Sequence, residues 1–219
     1  FMTALERIKL ANKASGSLAN ASTESKNKAL QSIAELLVAR SSEILGANAI
    51  DLENAVKSNL ATGLQDRLRL TEARIKSLAE SIQEVISLPD PIGEVVQAKT
   101  LANGLELTQL RVPFGVIGVI YEARPNVTID ISALAIKSGN AVVLRGGSAA
   151  ENTNIALSKI LKDALASSGL NPELVQTVDD FGRAGATEMM TARGLIDVLI
   201  PRGSASLISA VVDLSLIHI

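Results

Sequence analysis

Two apolar runs of strand length, separated by one stretch of helix length, constrain this 219-residue chain more than any other feature. GVIGVIY (residues 115–121) and AVVL (residues 141–144) are almost wholly aliphatic and rich in β-branched side chains, as strands buried on both faces must be. Pro125 ends the first run, Asn126 or Thr128 can cap a helix with Asp130 in its first turn, and Gly139 closes that helix. Strand, helix and strand in this order make a βαβ unit. Ligands of such sheets sit beyond the carboxyl ends of the strands, which here are residues 122–126 and 145–148.

Upstream the periodicity is helical. Leu30, Ile33, Ala34 and Leu37 share one face of a helix over residues 23–39. Ser41 or Ser42 can cap a second helix bearing Ile44, Leu45, Ala49, Leu52 and Val56, and Thr71 a third bearing Ile75, Leu78, Ala79, Ile82 and Ile86. Residues 1–92 therefore read as a helical segment packed on the βαβ part of the chain, with a solvated charged face. LPDPIG (residues 88–93) breaks the chain. Runs 95–101 and 105–112 flank Asn103 and Gly104, the signature of a hairpin, so residues 93–112 are expected to form an arm.

Beyond residue 148 the alternation continues: helix 149–166, strand 173–178, helix 184–192, strand 195–200, and a last helix from Ser204 through Val212. Such alternation predicts an α/β fold, a doubly wound parallel sheet over residues 113–213. Aromatic residues make up only 2% of the chain, so its core must rely on Leu, Ile, Val and Ala.

The charge balance, 21 basic against 23 acidic residues, argues against nucleic acid or an anionic membrane as partner. No apolar run approaches the roughly 20 residues of a membrane span, and no signal peptide opens the chain. The chain has no cysteine, which excludes disulfides and thiolate metal sites within it and agrees with a cytoplasmic setting. Its one histidine, His218, stands near the end, so a histidine triad or multi-histidine metal site is excluded and no metal is expected.

Two glycine-containing turns come directly after strands. In RGGS (Arg145, Gly146, Gly147 and Ser148) the glycines let backbone amides approach a ligand, and the next helix offers an N-terminus to an anion. Ser148 with Glu151 also makes a capping box, which explains that serine on structural grounds. PRGS (Pro201, Arg202, Gly203 and Ser204) repeats the pattern, with Ser204 as cap. The dinucleotide fingerprint G-x-G-x-x-G is absent. Lys137, in the last turn of its helix, reads as structural.

GVIGVIYEARPNVT followed by KSGNAVVLRGGS resembles the γ-glutamyl phosphate reductase family, glutamate-5-semialdehyde dehydrogenases of the aldehyde dehydrogenase superfamily. LPDPIG and LIPRGS agree, and the resemblance runs from about residue 5 to about residue 212. It implies an aldehyde-dehydrogenase-like fold and NADPH-dependent reduction of L-glutamyl 5-phosphate to L-glutamate 5-semialdehyde, with release of phosphate, in proline biosynthesis. A cytoplasmic homo-oligomer, joined in part through the arm, is implied as well.

The resemblance places RGGS against the adenosine ribose and 2′-phosphate of the cofactor, with Arg145 supplying the positive charge, and PRGS beside the cofactor phosphates. An asparagine in the loop after the first strand would stabilise an oxyanion. Asn126 is the candidate, although alignment to more distant aldehyde dehydrogenases puts Arg124 there, and Arg124 can equally hold the acyl phosphate. The family's nucleophile is a cysteine downstream of PRGS. With no cysteine, the chain is expected to lack the catalytic domain and to be inactive by itself. Residues 214–219 match what a common sequencing-transposon end encodes, and Phe1 before Met2 suggests an incomplete start. The rival readings are a non-catalytic nucleotide-binding module and another reductase of the same superfamily.

Overall fold

The computed structural model describes residues 2–122 and 124–214 and has the expected α/β architecture. Five helices come first: α1 (Ala4–Ala19), α2 (Thr23–Ala39), α3 (Ser41–Lys57), α4 (Thr62–Leu68) and α5 (Glu72–Ser87). Side-chain caps set three of the starts. Thr3 forms a capping box with Glu6, Ser22 accepts from the Ser25 amide, and Thr71 accepts from that of Arg74. Ser41 and Ser42 do not cap α3. The turn is so tight that Arg40 ends α2 and occupies the N-cap position of α3.

The arm is an antiparallel hairpin of β1 (Val95–Thr100) and β2 (Glu106–Leu110), turned at Gly104, whose φ is 84°. Both of its strands are exposed along their whole length. A two-stranded ribbon uncovered on both faces is marginal unless something packs on it. Its roots are held: Gly139, in a left-handed conformation at φ 75°, brings Ile92 and Pro113 against the end of a helix.

The sheet is parallel, in the order β5-β4-β3-β6, from β3 (Val116–Tyr121), β4 (Ala141–Arg145), β5 (Val175–Thr177) and β6 (Val198–Arg202). Helices α6 (Asn126–Lys137), α7 (Glu151–Ser167) and α8 (Gly182–Thr191) join successive strands, and α9 (Ala205–Leu214) comes after β6. Strands β3 and β4 are buried almost throughout, which explains their unbroken apolar runs. Helices α6 and α7 cover one face, backed by α2, α3 and α5, while α1 packs beside α8 on the other. Strand order reverses at β3: the chain steps from β3 out to β5, then returns to β6 on the far side. The switch point therefore lies between β3 and β6.

Several local expectations are corrected. Pro125, not Asn126 or Thr128, holds the N-cap position of α6, with no side-chain cap, and Asp130 lies beyond the first turn. Thr128 is buried instead, donating to Asn154 Oδ1 at 3.0 Å and so accepting from the Tyr121 hydroxyl at 2.6 Å. The Ser148–Glu151 capping box does not form, because Ser148–Ala150 winds as a 3-10 turn and α7 begins only at Glu151. Strand β5 is short because Pro172–Leu174 also winds as a 3-10 turn, proline having no amide to join a ladder. Strand β6 starts three residues later than its apolar run, after a turn in which Leu195 donates to the Ala192 carbonyl.

Lys137 is structural. Its buried ammonium donates to Asn27 Oδ1 at 2.8 Å and to the Ile86 carbonyl at 2.9 Å, and burial lowers its pKa. Helix α9 runs through Leu214, and residues 215–219, His218 among them, lie outside the described part.

Candidate functional site

At the switch point the loop after β3 meets the turn after β6. Glu122 Oε1 accepts from the Ser204 amide at 3.0 Å. Gly203 lets the two loops approach closely: a Cβ there would stand 2.8 Å from the Glu122 carboxyl carbon and push that side chain aside. The polar strings YEARPN and PRGS, 80 residues apart in the chain, are thus bonded to each other.

Two cavities open on this junction. The larger, about 440 Å³, lies between α4, α5 and the start of α6, and presents Arg67, Arg69, Ser77, Arg124, Asn126 and Asp130. The smaller, about 290 Å³, is lined by Leu64, Arg67, Glu122, Arg124, Arg202 and Gly203. In the larger one Asn126 Nδ2 donates to Asp130 Oδ2 at 3.1 Å. Burial pushes the Asp130 carboxyl above its ordinary pKa, opposed by the Asn126 bond and the nearby charge of Arg202.

The RGGS turn lies one strand over, at the end of β4, and lines neither of these cavities. Its backbone is committed internally. The Gly146 amide donates to Asp179 Oδ1 at 2.5 Å, and a Cβ at Gly146 would overlap the Asn154 amide and press on the Tyr121 ring. That glycine is therefore explained by packing inside the chain. Burial raises the pKa of Asp179.

The N-terminus of α7 is also occupied. Asp51, buried on α3, accepts from the Asn152 amide at 3.2 Å, the Thr153 amide at 2.8 Å and the Thr153 hydroxyl at 2.6 Å. A carboxylate of the chain itself thus takes the place a phosphate was expected to fill at this helix end. Two side chains of the turn are left uncommitted: Ser148 is exposed, and half-buried Arg145 keeps a buried Nε without a partner among the described residues. Asp51, Asp179 and Arg67 escaped sequence reasoning, because each meets its neighbours across long chain separations and carries no local motif; Glu122 lay in the loop that stood out, but its partner did not show. Among the described residues no cluster of His, Cys, Asp and Glu is suited to a metal ion.

Parallel strands with a crossover reversal, and a polar junction at their carboxyl ends, describe an open α/β sheet with its ligand crevice at the switch point. The sequence matches the aldehyde dehydrogenase family over residues 3–213, and the chain belongs to that family. Within it, the chain is similar to γ-glutamyl phosphate reductases. It is 55% identical over 214 residues to that of Leifsonia xyli subsp. xyli (strain CTCB07), covering 98% of this chain and 51% of the relative. The crystal structure of γ-glutamyl phosphate reductase from Thermotoga maritima superposes with a TM-score of 0.95 at 41% identity, over 98% of this chain and 52% of that one. The Saccharomyces cerevisiae structure gives 0.91 at 35% identity, over 100% of this chain and 56% of that one. The chain thus spans about half the length of the relatives it matches.

Proposed function

We propose that this chain is the cofactor-binding part of an enzyme that reduces L-glutamyl 5-phosphate to L-glutamate 5-semialdehyde with NADPH, releasing phosphate, in proline biosynthesis. Beside the similarity to γ-glutamyl phosphate reductases, one observation carries the reading. The Glu122–Ser204 bond joins the two polar loops at the switch point, beside the smaller of two cavities rich in arginine.

The residues fit a phosphorylated dinucleotide through side chains more than through helix ends. Arg145, with its unpartnered buried Nε, and the exposed Ser148 suit an adenosine ribose and 2′-phosphate, next to Gly146 and Gly147. Pro201, Arg202, Gly203 and Ser204 suit the remaining phosphates, Arg202 through its exposed guanidinium. Bound there, the nicotinamide supplies the hydride of the reduction.

Asn126 donates an amide hydrogen to the substrate oxygen as it gains negative charge. Arg124 holds the acyl phosphate. The acyl-transfer step needs a thiolate. Because the chain holds no cysteine, we assign the thiolate to another part of the full-length protein, and these 219 residues alone are expected not to turn over. The same proposal divides the chain into a helical segment (1–92), an arm (93–112) and a cofactor core (113–213), in a cytoplasmic homo-oligomer. The exposed Leu105, Leu107 and Leu110 of the arm favour contact between copies.

The test is phosphate-dependent oxidation of glutamate 5-semialdehyde by the full-length protein, with NADP+ and NAD+ compared. Arg145→Ala should weaken NADPH about tenfold to a hundredfold more than NADH, the worth of about 1.5–3 kcal/mol for one charge-assisted contact. Equal weakening of both would remove Arg145 from the 2′-phosphate. Absence of any phosphate-dependent turnover would remove the reaction.

A further inference from the structure

The two cavities at the switch point share a wall, and Arg67 and Arg124 are the residues that line both. On one side stand Arg202 and Gly203, where the cofactor phosphates are placed; on the other stand Asn126 and Asp130. A substrate whose acyl oxygen meets Asn126 brings its reacting carbon to the larger cavity, beside this boundary. In an acyl phosphate the reacting carbon carries the phosphate. The two arginines at the boundary are then within reach of that phosphate.

Arg67 is suited to meet it. No carboxylate among the described residues lies within salt-bridge distance of Arg67 or Arg124, whereas Arg74 is tied to Asp66 at 3.3 Å. Two guanidinium groups facing one phosphate offer planar donor forks that a single arginine cannot.

The short helix that presents Arg67 is also firmly built. Leu68 of α4 is fully buried against Ala55 and Ala150. Asn48, itself 1% exposed, grips the chain on both sides of Arg69, donating to the Leu68 carbonyl at 2.9 Å and accepting from the Leu70 amide at 2.8 Å. Arg74 adds bonds to the carbonyls of Asp66 at 2.7 Å and Arg69 at 2.5 Å. A buried polar side chain is costly unless fully bonded. Here its bonds fix the position of a seven-residue surface helix whose outward feature is Arg67.

We propose that Arg67 is a second phosphate-binding residue, which grips the phosphate of an amino-acyl phosphate together with Arg124. The rest of the larger cavity, lined by Arg69, Asp66 and Asp130 among others, takes the zwitterionic amino-acid end. This assignment rests on the reductase reading.

The test uses the full-length protein and its R67Q and R67K variants, with R183Q on α8 as control. In the phosphate-consuming direction R67Q should raise KM for inorganic phosphate about tenfold or more. KM for NADP+ and the thermal midpoint should stay unchanged, R67K should recover part of the loss, and R183Q should behave as the parent. An unchanged KM for phosphate in R67Q overturns the proposal, as does an equal rise in KM for NADP+. If R67Q does not fold, R67K decides: a lysine keeps the charge but not the fork, so parental kinetics in R67K overturn the proposal. Calorimetric titration with inorganic phosphate separates the two readings. A protein without reductase activity whose phosphate binding still weakens in R67Q refutes the reaction but keeps the site; an active reductase whose phosphate binding ignores R67Q refutes the site alone.

Discussion

Pro125 in the N-cap position of α6 frees the Asn126 side chain from capping, and its amide donates to Asp130 instead. That bond turns the nitrogen of the amide toward the Asp130 carboxyl and sets which way round Asn126 lies. One amide hydrogen remains for a developing oxyanion. Asn126→Ala in the full-length enzyme should then lower kcat by roughly a hundredfold, with KM for the cofactor and the thermal midpoint unchanged. A cap would instead cost about 1 kcal/mol of stability. A lowered melt with normal turnover would return Asn126 to a structural role. Gly146 makes the opposite point: a residue type that suggests ligand approach is required here by Asn154 and Tyr121 packing over it.

Among the elements, α7 shows how a helix end is settled by the fold. Its first amides find no cap in the local sequence, because the 3-10 turn at Ser148–Ala150 carries Ser148 out of position. Asp51, 100 residues earlier on α3, caps it and also joins α3 to α7 through the Thr153 hydroxyl. The Asn48–Thr153 bond at 3.1 Å extends the network to the end of α4. Asp51→Ala leaves two amides, that of Thr153 buried, and the buried Thr153 hydroxyl without their acceptor, at a cost of about 2 kcal/mol or more. For a chain of this size that lowers the midpoint by about 5 °C or more. Asp51→Asn, which keeps one acceptor oxygen, should lose less. Calorimetric melts of the two variants check this, and a melt of Asp51→Ala within about 1 °C of the parent would show that water replaces the cap.

Across the whole molecule, the loop that launches the arm is tied to the helical layer by a buried ion pair. Lys26 on α2, 1% exposed, meets Asp90 Oδ2 at 2.5 Å, and Thr23 and the Ile92 amide also donate to Asp90. Burial pushes the Asp90 carboxyl up, but the bond from Lys26, then those from Ile92 and Thr23, hold it below its ordinary pKa. A carboxyl lowered by folding contributes stability above its unfolded pKa of about 3.9, and that contribution is lost as pH falls through the folded value. Melts from pH 7 to pH 3 should show stability falling below about pH 4. Asp90→Asn should be less stable at pH 7 and show a shallower acid decline. An equally steep decline in Asp90→Asn would assign the acid sensitivity to other carboxyls.

Much of this was legible without a structure. Strands β3 and β4, helix α6, the hairpin at Asn103 and Gly104, and the cap Thr71 obey short-range rules. Each depends on neighbours within a few residues or on a periodic pattern of burial. YEARPN and PRGS stood out as polar strings at strand ends, so two edges of the site were visible as well. Tertiary structure alone decided what those strings face. Asp51 on α7, Asp179 on Gly146, Glu122 on Ser204, and Arg67 with Arg124 at one wall are partners brought together only when the helices pack and the strand order reverses. A carboxylate or guanidinium on a solvated helix face looks the same in sequence whether it meets water or a distant amide. The difference lies in desolvation and geometry, which exist only in the folded chain.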